Sequence, residues 1–179
     1  MSSNSFANTR RALKKIPGGV QKALYASMGR ALSHSKTVIG KEIRKEYTVK
    51  ARTARQAISA KRSKKAGSIA AEICVKGRNL LAGEFLLRPK TDTTGSKRKV
   101  VRLGIRKTGT RYVDRGFVSK GTLMQRKGKS SYPIEPVFGP SVPGMAANEH
   151  VVEAVQSDFK ETFEKRMDHE VSRILKGSK

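Results

Sequence analysis

The chain has 179 residues, enough for one ordinary domain with a core of its own and too few for two large ones. Its 39 Lys and Arg stand against 14 Asp and Glu, a net charge of +25; such a molecule repels copies of itself and attracts polyanions without selectivity. Apolar residues make up 36%, and the longest uncharged run, 136–148, is short and broken by three prolines and two glycines, so no membrane partner is expected. The charge is unevenly spread: residues 149–179 hold seven acids and six bases, residues 1–148 hold seven acids and 33 bases, and no acid precedes Glu42. One nearly neutral end beside a strongly basic remainder is the pattern expected when one face meets nucleic acid and another meets protein. The single cysteine, Cys74, excludes an intrachain disulfide and reads as a small buried hydrophobe.

Residues 1–19 read as a basic N-terminal arm ending at Pro17-Gly18-Gly19, with no apolar segment of signal-peptide type. Residues 20–176 read as a single α+β domain, and 177–179 as a short tail. Val20, Leu24, Met28, Leu32, Ile39 and Ile43 recur at helical spacing and predict a long helix over 20–46, with Ala23 and Ala31 thickening the stripe. Thr48 is placed to cap a second helix running to about Ala60, and Lys61 to Lys65 form a basic turn. The period then changes to two: Ile69, Ala71, Ile73 and Val75 alternate with smaller or polar residues. Phe85 and Leu87 suggest a second strand ending at Pro89, followed by a polar loop over 90–99. Val101, Leu103 and Ile105 alternate with Arg102, Gly104 and Arg106, the clearest strand in the chain. Two more strands are expected over 112–118 and 121–126, joined at Ser119-Lys120. Four of the six prolines lie in 132–143, which predicts an extended apolar segment along a surface without full pairing. Val151, Val155, Phe159, Phe163, Met167, Val171 and Ile174 predict an amphipathic helix over 147–176, capped by Asn148 and stopped at Gly177. The fold class is α+β: a long N-terminal helix and a C-terminal amphipathic helix packed on a mostly antiparallel β-sheet.

No reaction class finds its residues. The Lys127-Gly128-Lys129-Ser130 stretch lacks the earlier glycine of a phosphate loop, and Tyr132-Pro133 follows where a helix would have to begin. His34, His150 and His169 have no partner at metal-ligand spacing. Asp92, Asp114 and Glu135 are isolated, so no carboxylate pair is set for acid–base work. No catalytic residue, metal or cofactor is expected. The cations do cluster: Arg98, Lys99, Arg102, Arg106, Lys107 and Arg111 gather around the clearest strand and are the nucleic-acid-facing candidates. Lys61, Arg62, Lys64 and Lys65 form a second group, and Lys120, Arg126, Lys127 and Lys129 a third. No sequence-reading module is present, so the expected contact with DNA is electrostatic and non-specific.

Residues 116–145 carry a sharper signal. Gly116-Phe117-Val118, Gln125-Arg126-Lys127-Gly128, Tyr132-Pro133-Ile134 and Gly139-Pro140-Ser141-Val142-Pro143-Gly144-Met145 follow one another, with a basic helical region before them and an amphipathic helix after. In this segment, and in layout over most of 20–175, the chain resembles the minor tail protein Z family of tailed bacteriophages. The resemblance implies a structural, non-enzymatic virion protein that completes the tail near its head-proximal, neck end. It implies assembly as a ring of copies of itself, expected as a hexamer, in contact with other tail or neck proteins and with genomic DNA passing through. Before incorporation into the virion the protein would reside in the host cytoplasm. The apolar residues Tyr132, Ile134, Val137, Phe138, Pro140, Val142 and Met145 are the subunit-interface candidates. A ribosomal or other non-specific nucleic-acid-binding protein is the alternative that the charge alone also fits.

Overall fold

The computed structural model describes residues 18–65, 68–93 and 100–176. The expected arm at 1–19 therefore lies almost wholly outside the described residues, as do the tail and most of the 90–99 loop. The elements in order are α1 (Gly19–Glu46), α2 (Ala51–Ala57), β1 (Ile58–Lys65), β2 (Ser68–Val75), β3 (Asn79–Leu81), a single 3-10 turn (Ala82–Glu84), β4 (Leu86–Arg88), β5 (Arg102–Gly104), β6 (Arg111–Tyr112), β7 (Gly116–Ser119), β8 (Thr122–Arg126), β9 (Ile134–Pro136), β10 (Phe138–Ser141), α3 (Val142–Ala146) and α4 (Glu149–Lys176). The class is α+β, as the sequence predicts. The described strands form four small sheets in place of one, ordered β1-β2, β10-β3, β4-β5-β6 and β7-β8-β9. The chain divides into two compact units: Met1–Val38 with Ser59–Cys74 and Glu153–Lys179, and Ile39–Ile58 with Val75–Val152.

In the first unit α1 and α4 run antiparallel. Ala23 packs with Val171, Ser27 Oγ reaches Met167 Sδ at 3.6 Å, and His34 Nδ1 meets Asp158 Oδ2 at 2.9 Å, so each step up α1 is a step down α4. The most deeply buried line of α1 here is Ala23, Ser27, Ala31 and Ser35, each with no exposed surface. This differs from the expected stripe, in which Val20, Leu24 and Met28 are only half-buried. Small residues at the centre let side chains from the facing helix approach the backbone, and the larger ones flank the contact. Ser27 satisfies its buried hydroxyl by donating to the Ala23 carbonyl at 2.8 Å.

The expected basic turn at Lys61 to Lys65 is part of strand β1, which pairs with β2. A side-chain contact secures it within the unit: Arg62 lies over the Tyr25 ring, 4.0 Å from its centroid, and donates to the Tyr25 carbonyl at 2.8 Å. The guanidinium occupies the space a side chain at Gly29 would need. Cys74, expected buried, is half-buried on β2.

The second unit holds the remaining sheets and a core of Tyr47, Ile43, Ile58, Phe85, Leu87, Val101, Leu103, Val118, Leu123, Val142 and Met145. Thr48 does not cap α2. Lys50 precedes that helix with no side-chain cap, and α2 ends at Ala57, short of the expected Ala60. The Thr48 hydroxyl instead donates to the Gly104 carbonyl at 2.5 Å and accepts from Leu86 N–H at 3.1 Å, tying β4 to β5. β7 and β8 are joined by Lys120 and Gly121, one residue later than expected; both have positive φ (49° and 75°), the two-residue turn whose twist suits a hairpin.

The proline-rich segment pairs more than expected. β9 is the edge strand beside β8, with Met124 opposite Pro136, so the missing proline N–H faces away from the ladder. Pro140 sits where the β10–β3 register shifts, a position that asks for no ladder donor. Ser141 then caps α3, accepting from Gly144 N–H at 3.2 Å, with Pro143 in the first turn. That turn sends Val142 and Met145 inward.

Gly139 packs against the Phe85 ring, and a Cβ there would come within 2.5 Å of it. Gly139→Ala is expected to cost about 1–3 kcal/mol in urea unfolding, the usual effect of overfilling a packed core. An unchanged midpoint would show that Phe85 is free to move aside.

Candidate nucleic-acid interface

β5 forms because Val101 and Leu103 bury one face while Arg102 faces out between them. Its neighbours extend that outer face. Arg88 on β4 and Tyr112 on β6 stand directly opposite Arg102 on either side, giving a cross-sheet row of Arg88, Arg102 and Tyr112. Two arginines opposite one another repel. Arg102 lies over the Tyr112 ring, 4.7 Å from its centroid, and donates to the phenol oxygen at 2.6 Å. The contact orients the guanidinium without neutralising it.

The six expected nucleic-acid-facing residues do not form one cluster. Arg98 and Lys99 lie outside the described residues. Arg106 lies over Tyr47, 5.7 Å from the ring centroid. Arg111 pairs with Leu103 and so projects from the opposite face of its sheet to Arg102. Lys107 lines a cavity. Arg88, absent from the expected set, joins Arg102 through strand pairing across fourteen residues of sequence, and no local pattern announces that.

The second expected group, Lys61, Arg62, Lys64 and Lys65, lies exposed along β1 in the first unit. In the third, Arg126 covers Phe117 at 4.7 Å and Lys127 pairs with Glu135 at 2.5 Å. Aromatic residues, which in sequence show no interleaving with the basic groups, are thus brought against arginines in space at four places among the described residues. Guanidinium groups cover those ring faces, which leaves them poorly placed to stack on bases.

One cavity of the second unit has a volume of about 480 Å³. Its walls include Tyr47, Val49, Phe85 and Leu87, and Arg44, Lys50, Lys90 and Lys107 contribute cations; no acid lines it. Lys50 Nζ lies 3.3 Å from Glu84 Oε1, and Thr53 donates to Glu84 Oε2 at 2.5 Å. The Thr53 hydroxyl foremost, then the Lys50 ammonium, hold the Glu84 carboxyl below its ordinary value, against an opposing effect of burial. Among the described residues no three His, Cys, Asp or Glu side chains gather as a metal site would require, and no helix is long and apolar enough to cross a membrane.

The profile of the prophage minor tail protein Z family matches residues 7–178, nearly the whole chain. The chain belongs to that family. No curated protein and no solved structure matches it significantly. A prophage minor tail protein is a virion component, and the exposed cationic sheet face and the cavity belong to such a component.

The residues expected at subunit contacts are split. Tyr132 and Phe138 are 76% and 53% exposed. Ile134, Val137 and Pro140 are half-buried. Val142 and Met145 are 1% and 0% exposed and fill the protein's own core, so they offer no outward surface. Leu81, 39% exposed, pairs directly with Phe138 across the β10–β3 ladder and supplies an apolar side chain absent from the expected set.

Because the Glu84 pKa is lowered on folding, its contribution to stability is fully present above the ordinary carboxylate value and is lost as pH falls through the lowered one. Thr53→Val is expected to raise the Glu84 pKa and cost about 1 kcal/mol at neutral pH, with the difference from wild type closing in acid. Urea melts of both proteins at neutral and acid pH check this; a difference independent of pH would assign the loss to packing alone.

Proposed function

We propose that this minor tail protein is structural and not catalytic, and that it assembles as a ring at the head-proximal end of the tail through which DNA passes. The family match over 7–178 carries the tail assignment. The ring and passage readings are supported by the surface. The Arg88–Arg102–Tyr112 row presents fixed, unneutralised charge, which favours a phosphate backbone of any sequence. The exposed pair Leu81 and Phe138, with Tyr132, offers apolar area that contact with a neighbouring copy or another tail protein would cover. Basic faces toward the lumen and apolar ones toward neighbours would let DNA move past without being gripped at a particular sequence.

Light scattering of the purified chain at low and high salt, with and without duplex DNA, tests the reading. A defined ring at high salt without DNA is the expected result. A monomer that orders only on nucleic acid would favour a plain nucleic-acid-binding role.

Arg102→Glu with Arg106→Glu is expected to leave the chain folded, since both side chains are exposed and what is lost is a ring contact at each, worth about 0.5–1 kcal/mol, and one exposed hydrogen bond from Arg102 to the Tyr112 phenol. Phage carrying the double variant should assemble particles that deliver DNA poorly, scored by particle count against plaque count. Normal delivery, or loss of the soluble fold, would contradict the role given to these side chains.

A further inference from the structure

Copies carrying +25 each repel, so a ring needs counter-charge where its subunits touch. The acid-free cavity of the second unit described above is where that need is most local. Arg44, Lys90 and Lys107 converge on it, and none has a carboxylate partner among the described residues; Lys50 shares Glu84. Like charges around a concavity destabilise one another until an anion is seated between them. The floor of Tyr47, Phe85 and Leu87 adds a second requirement: the occupant brings an apolar body alongside its negative charge. A duplex backbone supplies phosphates on a convex ridge without such a body, a poorer fit.

One segment of the chain has the matching composition. Residues 149–159, the first three turns of α4, hold Glu149, Glu153 and Asp158 and no Lys or Arg. His34 engages Asp158. Glu149 and Glu153 are exposed and have no ion-pair partner among the described residues. Val152 between them is 39% exposed, one of the few large apolar side chains among the described residues that face outward. At 3.6 residues per turn Val152, Glu149 and Glu153 fall on one side of the helix within about 100° of arc. An exposed apolar side chain flanked by two carboxylates complements an apolar floor rimmed by cations.

We propose that the cationic cavity of one copy receives the Glu149–Val152–Glu153 strip of the next. The contact is head-to-tail, joining two different surfaces, and such contacts generate closed rings when the rotation between copies permits. The inference rests on the ring reading above and names the surfaces that close the ring.

A charge swap on the full-length chain tests it, read by light scattering as the concentration at which the assembly dissociates. Lys90→Glu with Lys107→Glu, and separately Glu149→Lys with Glu153→Lys, are each expected to weaken assembly at least about tenfold. The variant carrying all four changes is expected to assemble within about threefold of wild type, because the charges again oppose. Circular dichroism melts confirm folding, and the neutral Gln versions of each pair replace any variant that unfolds, with a smaller loss expected. A wild-type monomer under every condition overturns the ring reading and this inference together. A wild-type ring that neither pair weakens, or that the four-fold variant fails to restore, overturns the inference alone. A cavity variant that loses duplex DNA affinity while its ring persists assigns the cavity to nucleic acid and overturns it as well.

Discussion

Fourteen carboxylates cannot neutralise thirty-nine cations, and the structure is organised around that shortage. Several acids are used by neighbours on their own helix: Glu42 by Lys45, Glu161 by Lys165, Glu170 by Arg173. Such short-range pairs contribute little to stability. Four arginines are ordered instead by aromatic faces, Arg62 on Tyr25, Arg102 on Tyr112, Arg106 on Tyr47 and Arg126 on Phe117. A ring face holds a guanidinium in place at modest cost in hydration and leaves its full charge in the field. The chain thus obtains positioned cations without acids, as the proposed contact with phosphate requires.

What could be read from the sequence was whatever rested on period. The apolar residues at helical spacing over 20–46 and 151–174 correspond to α1 and α4, and the Val101-Leu103 alternation to β5, because burial of one face leaves its period in the chain. What could not be read depended on partners distant in sequence. Lys61 to Lys65 look like a turn because lysines rarely build strands; Tyr25 and Gly29, more than thirty residues away, help hold them in one. Thr48 has the chemistry of a helix cap, and only the nearness of Leu86 and Gly104 turns its hydroxyl into a tie between strands. The cluster around Arg102 was part legible: alternation put Arg102 outward, and pairing alone brought Arg88 beside it.

The proline-rich segment is instructive because its signals were local and pointed two ways. Density of proline argues for extended chain, and at β9 and β10 the chain is extended, at an edge and at a register shift that need no proline donor. Ser141-Val142-Pro143 is also a helix-start pattern, and there the helix prevails because it drives Val142 and Met145 into the core. The outward apolar residues left over, Phe138 with Leu81, owe their proximity to the ladder between β10 and β3.

The pairing of Ala23 with Val171 has a consequence for the order of events during synthesis. The ribosome releases α1 long before the residues that cover its line of small side chains exist, since almost 150 residues separate the two. Closing that distance carries the entropy of a long loop, so the first unit is the late-forming part of the molecule. Until then the nascent chain carries a basic helix whose alanines and serines are individually too small to drive collapse. The small-residue line permits close contact once α4 arrives, and the larger Val20 beside it is covered at the same step.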